Sequence, residues 1–265
     1  MNPGFGLNIG SHLQRASSLL RDATTAMLFP VECRVCGAMI ESLCDGVACA
    51  DCWQEVEQKI ERIRAGKSYC EKCGMPLPPT NQQDERRCGR CDDLAFGVAR
   101  ACGVYDGALR ESVLRLKTHP QISERLRALL ALTVAQIQES QVNESVIPVP
   151  LHADRLKERT FNQAEIIANE LSAITGLPVD TASLIRAEHT EKHRAGMGAR
   201  ERARTLEDAF HVRAPRLIES KTVLLVDDVM TTGSTANEIA RTLLDRGARA
   251  VNVLTLARAA SEFIL

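Results

Sequence analysis

The sequence predicts an α/β fold, a doubly wound parallel sheet, preceded by a small metal-stapled domain. Three observations carry this. Apolar strand-like runs alternate with helical patterns from about residue 98 onward, the signature of βαβ units. Eight of the ten cysteines fall into four Cys-x-x-Cys pairs within the first third of the chain. One stretch, Val223 to Thr235, joins a short apolar strand to a small-residue loop and a helix start.

The chain of 265 residues has room for one large or two modest domains. Three segments are expected: residues 1–30 as a flexible start with an amphipathic helix, 31–97 as the cysteine domain, and 98–265 as the α/β domain. In the first, Arg15 and Arg21 fall at helical spacing with Leu13, Leu19, Leu20 and Met27. No apolar run there is long enough for an export signal or a membrane span, so a cytoplasmic protein is expected.

Cys33/Cys36, Cys49/Cys52, Cys70/Cys73 and Cys88/Cys91 make the four pairs. Two residues between cysteines turn both sulfurs toward one ion, and two such turns complete a tetrahedral shell. Pairing in chain order predicts two structural Zn2+ sites in consecutive zinc ribbons. Gly37 and Gly74 follow their pairs, where a tight turn favours positive φ. Cys44 and Cys102 are left as free thiols. Trp53, Val56, Ile60 and Ile63 predict a short helix between the ribbons, ending near Gly66.

Net charge is −1, which excludes a global pull toward nucleic acid or membrane. From Val31 to Gly97 nine Lys/Arg face twelve Asp/Glu, so the ribbons lack the basic surplus that phosphate contacts need. Domain docking or protein contact is the better expectation for them.

In the α/β part, residues 98–105 read as a strand turning at Asp106-Gly107, with a helix through Leu109, Val113 and Leu116 to Lys117. A second helix is predicted over Ser123–Glu139, then a strand at Val146–Pro150 whose prolines suit its ends or an edge. Asn162 caps the next helix, which Gly176 and Pro178 end. Further strands are expected near Val179–Ile185 and at Ala250–Ala257.

Val223–Val226 reads as a buried strand ending in Asp227 and Asp228, with Thr235 opening a helix and Glu238 as its capping-box partner. Carboxylates at such a strand end can accept hydrogen bonds from two sugar hydroxyls, while the loop holds a phosphate. This stretch resembles the thirteen-residue signature of type I phosphoribosyltransferases, which bind phosphoribosyl pyrophosphate (PRPP). The resemblance implies a ribose-binding half (Val226, Asp227, Asp228, Val229) and a 5′-phosphate half (Thr231, Thr232, Gly233, Ser234, Thr235).

Taken with the cysteine pairs, Tyr105-Asp106-Gly107, Lys117, Val149-Pro150-Leu151-His152, Arg155, Arg159 and Phe161-Asn162-Gln163-Ala164, the chain over about residues 25–259 resembles the ComF family. It departs from that pattern at Thr118, Thr160 and the loop Thr190–Met197, where an aromatic residue, a glycine and a glutamine-bearing motif are usual. Arg194 falls where that glutamine stands.

The resemblance implies PRPP binding with Mg2+ and a role in DNA uptake and natural competence. If transfer occurs, Asp227, Asp228 and Arg194 are the expected catalytic residues, with Lys117, Arg155 and Arg159 on the pyrophosphate side. Residues 192–204, with five Lys/Arg against one Glu, are expected to form a mobile lid. A solvated helix face is the alternative there. A non-catalytic PRPP-sensing or DNA-processing module stays open as a second reading, with a competence helicase and a recombination mediator as partners. Single-stranded DNA is a further partner that net charge does not favour. Nucleobase salvage ranks last, because the C-terminal residues offer only Phe263 as a base-stacking aromatic.

Overall fold

The computed structural model describes residues 31–42, 45–66, 68–77, 87–186 and 209–259. The expected N-terminal helix, Cys44, the basic window with Arg194, and Phe263 lie outside these residues. No helix among the described residues is long and apolar enough to cross a membrane.

Helix α1 (Ala50–Ala65) places Cys52, Trp53, Val56 and Ile60 on one buried face. Strand β1 (Ala99–Val104) then turns at Asp106, whose carboxylate accepts from Gly107 N as the N-cap of α2 (Gly107–Leu116). Ser123, the expected start of the second helix, caps α3 (Glu124–Ser140) through its hydroxyl. Strand β2 (Ser145–Pro148) is followed by α4 (Ala153–Arg159) and by α5 (Gln163–Thr175). Asn162 caps α5, and Gly176 ends it at φ 76°, a conformation glycine adopts without strain.

A short hairpin, β3 (Leu184–Arg186) and β4 (Phe210–Val212), precedes β5 (Thr222–Met230), α6 (Ser234–Asp245) and β6 (Ala250–Arg258). The main sheet has the order β1-β6-β5-β2, and every pairing in it is parallel. Along β5, Val223 and Leu225 face one core cluster, while Leu224 and Val226 face the other. A strand buried on both faces has no polar alternation, which is why its sequence reads as a continuous apolar run.

Helices α1, α2, α3 and α5 contribute to the cluster on the Leu224 face, and α6, the hairpin and the second cysteine knuckle to the other. The cysteine region is thus docked by a shared core. Trp53 is fully buried and donates Nε1 to Asp45 O at 2.7 Å. Arg125 on α3 reaches Asp45 and Glu57, and Lys59 on α1 reaches Asp106.

Three expectations are corrected. The strand near Val179–Ile185 is two things: a single parallel bridge from Val179 to Val146, then β3, which pairs with β4 in the antiparallel sense. Strand β5 does not end at the carboxylates but runs past them to Met230, because β6 offers continuous pairing, Asp227 opposite Thr255 and Val229 opposite Ala257. Helix α6 opens at Ser234, one residue early; Gly233 occupies its cap position and has no side chain for a capping box. Helix α4 is an addition: five of its seven residues are polar, and Ala153 and Leu156 alone make no apolar stripe.

Candidate functional site

Asp227 and Asp228 lie near the C-terminal end of β5, between β2 and β6. Open α/β sheets place their ligands along this edge. The pair is locally organised: Asp228 N donates to Asp227 Oδ1 at 2.8 Å and Val229 N donates to Asp228 Oδ1 at 2.7 Å. Burial, and then the charge of Asp228, push the Asp227 carboxyl up to about 8. Arg186 on β3 opposes that rise. Sequence reading passed over Arg186, which the hairpin brings to the acidic pair from a distant part of the chain.

The loop 231–233 leads into α6. Gly233 adopts φ 85°, the left-handed region that lets the chain reverse into the helix. Thr232 Oγ1 donates to Ser234 Oγ at 3.0 Å and accepts from Ser234 N at 3.3 Å. Thr231, Thr232 and Ser234 are exposed, and Thr235 is half-buried. With no side chain in the cap position, the helix N-terminus presents its first-turn N–H groups to whatever anion enters. Asp227, Val229, Thr231, Gly233, Ser234 and Thr235 line a common cleft. Val226 is fully buried, and its carbonyl accepts from Val149 N, so its part here is packing.

The other expected contacts are less converged. Arg159 donates Nη1 to Gln163 Oε1 at 2.8 Å, Arg155 is exposed on α4, and Lys117 closes α2. Among the described residues none of the three bonds to the acidic pair or to the loop. Asn162 Nδ2 donates to Val149 O at 3.0 Å and so fixes the α4–α5 corner beside the end of β2.

The cysteines form two groups of four, Cys33/Cys36/Cys49/Cys52 and Cys70/Cys73/Cys88/Cys91, the pairing in chain order that spacing predicts. Tetrahedral thiolates at about 2.3 Å from Zn2+ stand roughly 3.8 Å from one another. Cys33–Cys52 at 3.8 Å, Cys36–Cys49 at 3.7 Å, Cys73–Cys88 at 3.5 Å and Cys70–Cys91 at 3.4 Å come close to that figure. The geometry is that of zinc ribbon sites. Gly37 and Gly74 both have positive φ and close equivalent turns, each donating its N–H to the carbonyl of its pair's first cysteine. Cys102, a residue of β1, is fully buried and belongs to neither group.

Comparison with known proteins agrees with this geometry. Residues 115–262 match the Phosphoribosyl transferase domain family, and residues 24–92 match the Double zinc ribbon domain. Over 199 residues the chain is 33% identical to Competence protein F of Haemophilus influenzae, covering 72% of this chain and 85% of that one. It is 32% identical over 202 residues to DNA utilization protein YhgH of Escherichia coli, covering 74% and 86%. With Competence protein ComFC of Streptococcus pneumoniae it shares 25% over 240 residues, covering 86% of this chain and all of the other. The chain belongs to the ComF family of phosphoribosyltransferase-like proteins with a double zinc ribbon.

Proposed function

We propose that this protein binds PRPP together with Mg2+ at the end of β5 and serves DNA uptake or DNA utilisation, as the names of its relatives suggest. One observation carries the reading. A single buried strand delivers two adjacent carboxylates beside a helix N-terminus whose cap is a left-handed glycine. In it, Asp227 and Asp228 accept from the ribose hydroxyls and the 231–235 loop surrounds the 5′-phosphate. Mg2+, when bound with PRPP, supplies positive charge for the diphosphate. Two carboxylates side by side, one of them pushed toward the neutral form, suit a partner that brings hydroxyl donors or a cation. Arg194, from the basic window, would add a cation on the diphosphate side.

The proposal also divides the chain near residue 97, gives each four-cysteine group a structural Zn2+, and places the protein in the cytoplasm. Thiols committed to metal rather than to disulfides suit a reducing compartment.

Calorimetric titration with PRPP, with and without Mg2+, tests the binding. The Asp227→Ala/Asp228→Ala variant should keep its fold and lose the ligand; binding equal to the parent's would overturn the ribose assignment. A screen of nucleobases for pyrophosphate release then separates transfer from binding alone. Helicase and mediator partners, and single-stranded DNA, belong to that second reading.

A further inference from the structure

Strand β6 is apolar for most of its length and ends on a charge. Arg258 is 3% exposed, and Leu254, Leu256 and Ala257 just before it are core residues. Burying a guanidinium without compensation costs several kcal/mol, so what it faces matters. Its Nη2 lies 3.8 Å from Cys73 Sγ. Its Nε and Nη1 are buried and meet no acceptor among the described residues.

The second cysteine group is the buried one: Cys70, Cys73 and Cys91 are each at most 2% exposed. Four thiols are poor acceptors for an arginine. Four thiolates around a divalent cation carry a net charge of about −2, and that charge needs a counter-charge where water is excluded. The other guanidinium nearby, Arg100, is already engaged. It stacks on Tyr69 at 5.7 Å and donates Nη1 to Ala99 O at 2.8 Å. The first group differs: Cys36 is exposed, and no arginine or lysine among the described residues donates to its sulfurs.

We propose that Arg258 is the outer-sphere cation of the second cysteine group, donating to the Cys73 sulfur and balancing a metal tetrathiolate. The hold of that group on its metal then depends on the residue that closes β6. The link continues to the loop of the candidate site. Arg258 is in register with Met230, the last residue of β5, and Ala259 N donates to Met230 O at 3.0 Å. The segment after Cys91 lies under the loop. Leu94 and Phe96 come within 3.6 and 3.7 Å of the Cβ position at Gly233, and Ala95 N donates to Asn237 Oδ1 at 2.6 Å. Emptying the second group therefore loosens the support of the 231–235 loop. This last step rests on the phosphate-loop reading above; the assignment of Arg258 does not.

The test uses the full chain loaded with two Zn2+, titrated against a chelator of known affinity while free metal is read with a dye. Arg258→Met keeps the length of the side chain and removes its charge. One of the two ions should then bind 10–100-fold more weakly, the range for losing an outer-sphere partner, while the other keeps its parental affinity. Arg258→Lys keeps the charge without the fork and should fall between. With Co2+ in place of Zn2+, Arg258→Met should shift the thiolate-to-metal band of one site only, which a packing defect would not do. Parental affinities at both sites in both variants overturn the proposal, and so does equal weakening of both sites. If Arg258→Met does not fold, Arg258→Lys decides on the same criteria. PRPP titration of Arg258→Met stripped of its weaker-held ion should show reduced affinity against the same variant fully loaded. A parent that never binds PRPP sinks the functional reading and leaves the metal result standing.

Discussion

Asp227 makes a sharp prediction about pH. Its carboxyl sits at about 8 in the folded chain against an ordinary value of 3.8. The difference is about four pH units, and at about 1.4 kcal/mol each the ceiling is roughly 5–6 kcal/mol. Asp227 is not fully enclosed, so solvent screening brings the expected effect down to about 2–3 kcal/mol. The sign follows from the direction of the shift. The folded protein holds this proton more tightly than the unfolded chain, so the contribution is complete below about pH 4. It is lost as pH rises through 8. Asp227→Asn keeps the shape and cannot ionise. Urea unfolding of ligand-free parent and variant should give nearly equal stabilities at about pH 3.5, below the unfolded value. At pH 9 the variant should be ahead by about 2–3 kcal/mol. Asp228→Asn, which removes the second cause of the shift, should shrink the parent's loss. A gap between parent and Asp227→Asn that stays constant from about pH 3.5 to pH 9 would refute the reasoning.

Thr160 is held at φ 66°, a region that disfavours a β-branched residue, so Thr160→Gly should raise stability by about 0.5–1 kcal/mol after glycine's greater unfolded-state entropy is subtracted; thermal unfolding measures it. Gly37 and Gly74 share positive φ, yet only at Gly74 would a Cβ meet backbone, 2.8 Å from Ala99 O. Gly74→Ala should therefore cost about 1–3 kcal/mol more than Gly37→Ala in the same unfolding assay. The purified chain should carry two Zn2+ by mass spectrometry, and chelation should unfold residues 31–97, seen as loss of the buried Trp53 fluorescence; thiols found as disulfides would count against both metal sites.

Much of the fold was legible because its signals are local. Asp106, Ser123 and Asn162 each announce a helix start that their own side chains then cap. Cysteine spacing carried both four-sulfur groups, since two knuckles of fixed geometry leave little choice of partner. What stayed hidden depends on distant pairing. β3 finds β4 across more than twenty residues, so Leu184–Arg186 could not be told from a strand of the main sheet. β5 continues past the carboxylates to Met230 because β6 pairs alongside, and no property of Asp227 itself says so. Arg186 and Arg258 matter through what faces them. Arg258 did leave a trace, a charge closing a mostly apolar strand, and that anomaly was there to be read.

The strand order has a consequence for how the chain comes together. β6, the last strand described, lies between β1, the first, and β5. During synthesis β1 waits for its neighbour until about 150 further residues have been made, because Ala99 pairs with Val253. Each cysteine group draws its ligands from a window of some twenty residues and closes long before. Local contacts form early and distant ones late. The knuckles are thus ready while the sheet is still missing a central strand, and a chain cut before Ala250 would keep its first cysteine group, lack Arg258 at the second, and lose the register that aligns β1 with the rest of the sheet.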